Sequence, residues 1–356
     1  MRPTLANYLN IIIPDLGTEI ATPEAKSKLQ KLADFLPPIL RGGFECRLST
    51  GMTQVDLQQC IFIKNKEPKF LIEYINDLAL LDTESDCWKN IQNFCQVLSD
   101  DNSVLYKGIN DIWLEFDIDD FQCLTPSIFF NFNCHINDVF ELVKIAESAL
   151  ELLLNKPIIE PLKANLSGCF TNCTLPTRVS HIGVMLSRQQ KALRVNIDNL
   201  PPDHISTYLQ NIGFTGVTEE IEVLSKELLY FVENVRICLD VGNVIYPHVG
   251  LECFFSEKTK LVSSESNFLN YLVEQGLCSS VKRDALLAWS GYTTPKSSLH
   301  PWSSNLIAES LLKPANQFSI FERKVSHIKI VNKPSYQLEA KAYLWFQHKW
   351  LPVAEN

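Results

Sequence analysis

Arg47, Arg194, Arg236, Lys329 and Lys341 each sit at an alternate position of a short β-like run, and Glu115, Asp117, Asp198, Asp240 and Glu252 share the polar phase of such runs. Large aromatics interleave them: Trp113, Phe129, Phe254, Tyr343 and Trp345. A cluster of Arg and Lys is a local site for an anionic ligand, and carboxylates beside it offer acid–base chemistry. Aromatic rings mixed with ion pairs describe a lined cavity better than a wet surface.

The elements that must position these groups come in pairs. They read GFECRLS with TQVDLQQCIFI, DIWLEFDID with PSIFFNF, SHIGVMLS with ALRVNID, NVRICLDVG with HVGLECFF, and SHIKIVN with LEAKAYLWF. In DIWLEFDID, Ile112, Leu114, Phe116 and Ile118 fall on one face and Trp113, Glu115 and Asp117 on the other. ALRVNID opposes Arg194, Asn196 and Asp198 to Leu193, Val195 and Ile197, and the last strand opposes Lys341, Tyr343 and Trp345 to Ala340, Ala342, Leu344 and Phe346. One reading sets these polar faces in water, on an antiparallel sheet covered by helices on one side. Against it, the faces carry few Lys, Thr and Ser, and closure into a barrel with helices outside would hide both sheet edges.

Helical stretches separate the pairs. Residues 5–40 give two, the second opening on Thr22-Pro23 as N-cap and first turn. KFLIEYINDLALL and SDCWKNIQNFCQVL follow the first pair, and NDVFELVKIAESALELLLN, capped by Asn137 or Asp138, follows the second. HISTYLQNIGF and VTEEIEVLSKELLYFVEN follow the third, SNFLNYLVEQGL and VKRDALLAW the fourth. A Ser/Pro/Gly-rich loop spans about 290 to 304, the last strand pair about 326 to 346, and the final residues read as a short tail. No composition shift marks a linker, so the expectation is one domain over 1–356, built by repetition of a unit that cannot bury its apolar face alone.

The 356 residues carry a net charge of −9, which excludes a general nucleic-acid binder. The N-terminus is interrupted by Asn7, Asn10 and Pro14 and does not read as a signal peptide, and no run approaches a membrane span. The 11 Cys are scattered among apolar neighbours, which points to a reduced cytoplasm. Cys169 and Cys173 lack a second pair of zinc ligands, and the histidines show no metal or triad spacing. His181, His248 and His327 read as strand-end residues bonded locally. No phosphate-cradling glycine loop and no nucleophile elbow are present.

The αββα repetition resembles the ABBA prenyltransferases, whose fold is the PT barrel and which include aromatic and cyanobactin peptide prenyltransferases. The most specific local features are Lys341-Ala342-Tyr343 and Lys329 on HIKI, which look like lumen positions used to hold a diphosphate. The resemblance implies an α+β fold, a barrel of about ten antiparallel strands from five αββα repeats. It also implies an allylic diphosphate donor and an aromatic or peptide acceptor, in a natural-product pathway. Arg47, Arg194, Arg236, Lys329, Lys341 and Tyr343 would then cradle diphosphate, and Trp113, Phe129, Phe254 and Trp345 would shield the carbocation. Glu115 is the first choice of acceptor-positioning base, with Asp117 or Glu252 second.

The acids depart from this pattern, because they balance the bases that a metal-independent diphosphate cradle needs in excess. Arg194 paired along its strand with Asp198, and Arg236 with Asp240, is one explanation. Mg²⁺ bridging acids and diphosphate is another, although Asp117-Ile118-Asp119-Asp120 is a poor substitute for a DDxxD cluster. A third keeps the barrel, drops the diphosphate and binds or modifies a peptide or amino-acid-derived substrate by acid–base chemistry. A non-catalytic α+β interaction protein with wet strand faces is the remaining alternative.

Overall fold

The computed structural model describes residues 3–39, 41–79, 86–118, 125–186, 192–255, 262–314, 316–333 and 337–352. Strands are β1 (Arg41–Arg47), β2 (Val55–Phe62), β3 (Ile109–Phe116), β4 (Ser127–Phe132), β5 (Arg178–Val184), β6 (Leu193–Asp198), β7 (Asn234–Val241), β8 (Ile245–Phe254), β9 (Gly291–Thr293), β10 (Gln317–Asn332) and β11 (Glu339–Pro352). Neighbours pair antiparallel in the order β11-β1-β2-β3-β4-β5-β6-β7-β8-β10, and β10 pairs with β11 to close the ring. The result is a ten-stranded barrel with helices outside, which abolishes the sheet edges that an open sheet of this size would expose.

Strand phase decides what faces where. Ile112, Leu114 and Phe116 of β3, Ile128, Phe130 and Phe132 of β4, and Val195 and Ile197 of β6 are buried with helix residues such as Ile91, Phe94, Leu150 and Phe170. Rings run from helix to barrel and on to the next helix: Phe94 to Phe130 at 6.2 Å, Phe130 to Phe132 at 5.5 Å, Phe132 to Phe170 at 5.6 Å. Each such ring contributes roughly 1.5–3 kcal/mol of burial. The alternate positions therefore turn inward.

The helices are set by their caps. Thr22 accepts from the amide of Ala25, and Asp138 from those of Phe140 and Glu141, which starts the helix Val139–Leu154 as the sequence suggests. The helix Thr218–Leu228 stops short of the expected YFVEN stretch. The last strand pair runs well beyond 326–346. β10 and β11 pair from Gln317 opposite Pro352 inward, with a bulge between Val325 and His327, so the expected tail is strand as far as Pro352, and β9 joins this ribbon within what reads in sequence as a loop. Trp302 buries its ring against Phe321 and His348 there. The expected turns at 187–191 and 334–336 lie outside the described residues.

Lys282, on the helix Ser280–Trp289, fixes the turn between β1 and β2. Its ammonium donates to the carbonyls of Arg47 (2.7 Å), Ser49 (2.8 Å) and Met52. Lys282→Met leaves three carbonyls without this donor and lowers unfolding stability by roughly 1–3 kcal/mol in chemical denaturation. An unchanged midpoint would show that water replaces the ammonium at no cost.

Candidate functional site

Two chambers of the lumen meet at Arg194 and Lys329. The first, about 170 Å³, is lined by Trp113, Phe129, Phe254, His327, Tyr343 and Trp345, with Glu115, Arg236 and Glu252 among them. The second, about 340 Å³, is lined by Arg194, Lys329, Lys333 and Lys341, with Asp240, His248 and Glu339. They follow one another along the strands: on β8, His248 and Gly250 face the basic chamber, and Glu252 and Phe254 the aromatic one. On β11, Glu339 and Lys341 precede Tyr343 and Trp345 in the same way. The basic chamber lies at the end where the hairpins turn.

Two glycines make room for these side chains. A Cβ on Gly250 would stand 2.3 Å from Cε of Lys329, so the bare backbone there makes room for that lysine to lie over β8 and reach Cys238 on β7. A Cβ on Gly183 would stand 2.4 Å from the ring of Phe129, which lies over it on the neighbouring strand.

Each of the predicted bases is held by a carboxylate. Arg194 makes a two-point contact with Asp240, Nε to Oδ1 at 2.9 Å and Nη2 to Oδ2 at 3.3 Å. Arg236 reaches Asp198 at 3.3 Å and Glu252 at 3.6 Å and lies over the ring of Phe254. Lys329 donates to Glu252 at 3.1 Å and to the Cys238 sulfur at 2.9 Å. Glu45 collects Arg47 (2.6 Å), Lys341 (2.8 Å) and the hydroxyl of Tyr343 (2.6 Å), while Asp56 takes the other arm of Arg47 at 3.1 Å.

The arginine partners differ from the sequence expectation. Arg194 bonds Asp240 rather than Asp198, and Arg236 bonds Asp198 rather than Asp240. Residues four apart on one strand stand roughly 13 Å apart, whereas register partners on adjacent strands are about 5 Å apart. Arg194 and Asp240 are such partners.

Burial and charge sort the protonation states. Burial raises Glu45, but Lys341 and Arg47 outweigh it and hold that carboxyl well below the usual range. Glu115 is pushed up to about 8 by burial, then by the charge of Glu45 and a hydrogen bond to it. The proton shared by this pair therefore resides on Glu115. Burial also raises Glu252, but Lys329, His327 and Arg236 bring it down to about 2. Asp56 is raised to about 6 by burial and by Glu45. Burial lowers His181 to about 3 and His327 to about 4, so both rings are neutral.

The structure brings Glu115, Glu252, Arg236, Tyr343 and all four predicted aromatics to the aromatic chamber, and Arg194, Lys329 and Lys341 to the basic one. Arg47 and Asp117 line neither. Arg47 is engaged by Glu45 and Asp56, and Asp117 follows the end of β3, where its charge acts on Asp56. Sequence reasoning passed over Glu45, Asp56 and Asp111, although strand phase alone places them with Arg47 and Trp113. Asp111 accepts from Trp113 Nε1 at 2.9 Å and from Asn131 at 3.2 Å. It also took His181, His248 and His327 for strand ends, whereas β5 begins at Arg178, β8 at Ile245 and β10 at Gln317, and each carries its histidine inside. Among the described residues no group of three His, Cys, Asp or Glu side chains is placed to hold a metal ion. Asp119 and Asp120 lie outside those residues.

No protein-family model and no curated protein matches this chain. Solved structures do. The 6-dimethylallyltryptophan synthase from Micromonospora olivasterospora, in complex with DMASPP and Trp, is 10% identical over 96% of this chain and 97% of that one, with a TM-score of 0.57. The apo form of prenyltransferase PriB is 9% identical over 96% and 94%, at 0.55. AnaPT from Neosartorya fischeri is 12% identical over 97% and 92%, at 0.55. The closed ring of five strand pairs with helices outside is thus the ABBA, or PT-barrel, fold of these prenyltransferases. At such identities the likeness is one of fold.

The carboxyl pair has a measurable consequence. A carboxyl whose folded pKa lies above its unfolded one binds more protons in the native state, so Glu115 subtracts stability as pH rises from about 4.5 toward 8. Glu115→Gln removes this titration. Its melting temperature relative to the native chain rises between about pH 5 and pH 8, and a difference that stays constant with pH would disprove the shared proton.

Proposed function

We propose that this chain transfers an allylic group from a diphosphate donor to an aromatic acceptor, free or carried on a peptide, in a natural-product pathway. The observation that carries this reading is the meeting of the two chambers at Arg194 and Lys329. One chamber presents ammonium and guanidinium groups to an anion, and the other presents aromatic faces to a carbocation. The lumen acids do not contradict it. Glu45, Asp56 and Asp198 line neither chamber and hold bases from behind, Glu115 is uncharged near neutral pH, and the acids that do line the chambers, Glu252, Asp240 and Glu339, are each bonded to a base.

In this reading Arg194, Lys329 and Lys341 take the diphosphate, and Trp113, Phe129, Phe254 and Trp345 surround the allyl group. Glu115 orients the acceptor by a hydrogen bond. Being protonated, it serves as a donor in the resting state rather than as the base the sequence suggests. The cysteines described are free thiols, many buried, which supports a cytoplasmic setting. Among the described residues no helix is long and apolar enough to cross a membrane.

The pairing of every predicted base with a carboxylate favours one other reading, a peptide or amino-acid-derived substrate handled without diphosphate. One experiment separates them. Incubation with C5 and C10 allylic diphosphates and Trp-, Tyr- or Arg-containing peptides should give transfer, or slow release of diphosphate. Lys329→Gln should cut kcat/KM for the donor by about 10²–10³-fold. Neither transfer nor release across the panel would overturn the diphosphate reading.

A further inference from the structure

His248 is a titratable side chain of the basic chamber to which the reading above gives no task. It faces that chamber from inside β8, two residues before Gly250. Its Nε2 lies 2.7 Å from Oδ2 of Asp240, the carboxylate that also holds Arg194 through both oxygens. Burial pushes Asp240 up, but the hydrogen bond from His248 and the charge of Arg194 outweigh it and keep the group ionised. An ionised carboxylate only accepts hydrogen bonds, so Nε2 carries the ring proton and Nδ1 is the nitrogen left for the chamber. In a neutral ring Nδ1 presents a lone pair, which repels a phosphate oxygen. An anion seated against it draws a second proton onto the ring.

We propose that His248 is a further diphosphate-binding residue of this site, engaging the anion as imidazolium through Nδ1–H, with Asp240 positioning His248 and Arg194 together. The inference rests on the donor reading above. When the bond between the allylic carbon and the diphosphate oxygen breaks, its electron pair stays on that oxygen. The imidazolium is then already in place to stabilise the added charge, and no proton has to be recruited from solvent. The other charged groups lining the chamber are Arg194, Asp240, Lys329, Lys333, Glu339 and Lys341. Lys333 is paired with Glu339 at 2.9 Å, Lys341 with Glu45, and Lys329 with Glu252 and the Cys238 thiol. Tyr246 on β8 flanks the ring at 6.1 Å. Each of these groups thus has a partner inside the lumen, and Nδ1 of His248 is the ring nitrogen that Asp240 leaves unused.

The test is calorimetric titration of the whole chain with inorganic diphosphate from about pH 6 to 8.5, for the native protein and for His248→Gln. Heats measured in two buffers of different ionisation enthalpy count the protons taken up. The native protein should lose affinity more steeply with rising pH than the variant, by up to about tenfold per unit. It should also take up more protons on binding. Parallel curves with equal proton uptake would overturn the role of His248 and leave the donor reading intact. No diphosphate binding by the native protein at any pH would overturn the donor reading, and His248 with it. If the variant does not fold, ¹⁵N shifts of the native ring give the same answer: diphosphate should move them to the doubly protonated form, and unmoved shifts would refute the proposal.

Discussion

Closure of the ring by β10 and β11 is the constraint from which the rest follows. Lys329 opposite Lys341 and Ile330 opposite Ala340 bring the last strand pair together, and β11 then pairs with β1 from Arg41 opposite Gln347 to Arg47 opposite Lys341. Once the sheet has no edge, the polar phase of every strand points into a volume that bulk water cannot fill freely. A charge there must find its partner within the barrel wall, because an unpaired buried ion costs several kcal/mol. Two cationic register partners, Lys329 and Lys341, are tolerable only because each has its own carboxylate, Glu252 and Glu45.

Seen this way, the abundance of acids describes the framework more than the ligand. Glu45 ties Arg47, Lys341 and Tyr343 into one unit, and Asp240 ties Arg194 to His248. Held in this way, the bases lose less side-chain entropy when an anion binds than free lysines or arginines would. The same packing sets the odd proton. Glu115, 6% exposed and beside an ionised Glu45, cannot be charged at the same time, so the pair keeps one proton for two carboxyls.

The fold was largely legible because the period-two alternation survives in nearly every strand, and the buried face of each strand carries little but aliphatic and aromatic residues. Helix starts at Thr22 and Asp138 were legible for a similar local reason. What depends on neighbours across the sheet was not. Arg194 and Asp240 are 46 residues apart, and nothing within either strand says that they face each other. The ribbon at 317–325 and 347–352 was missed because its support comes from Trp302 and β9, distant in sequence. Glu45 and His248 were a different failure. Their phase was readable, but their roles appear only when Tyr343, Lys341 and Asp240 arrive from other strands.

The order of the two chambers is itself a product of strand sequence. Along β11 the inward side chains run Glu339, Lys341, Tyr343, Trp345, and along β8 they run His248, Gly250, Glu252, Phe254. Both go from ionic to aromatic, starting from the hairpin turns, and β10 between them sets Lys329 level with Glu252 and Lys341, and His327 level with Phe254 and Tyr343. An allylic diphosphate has the same polarity along its own length, an anionic head and an apolar tail. A barrel graded in this way would therefore fix the direction in which such a molecule lies. Arg194 and Lys329 mark the level at which head becomes tail, where ionisation would separate charge. On the proposed donor reading, the pair would stand where its positive charge stabilises the departing anion most, and the cation would form against the aromatic walls beyond it.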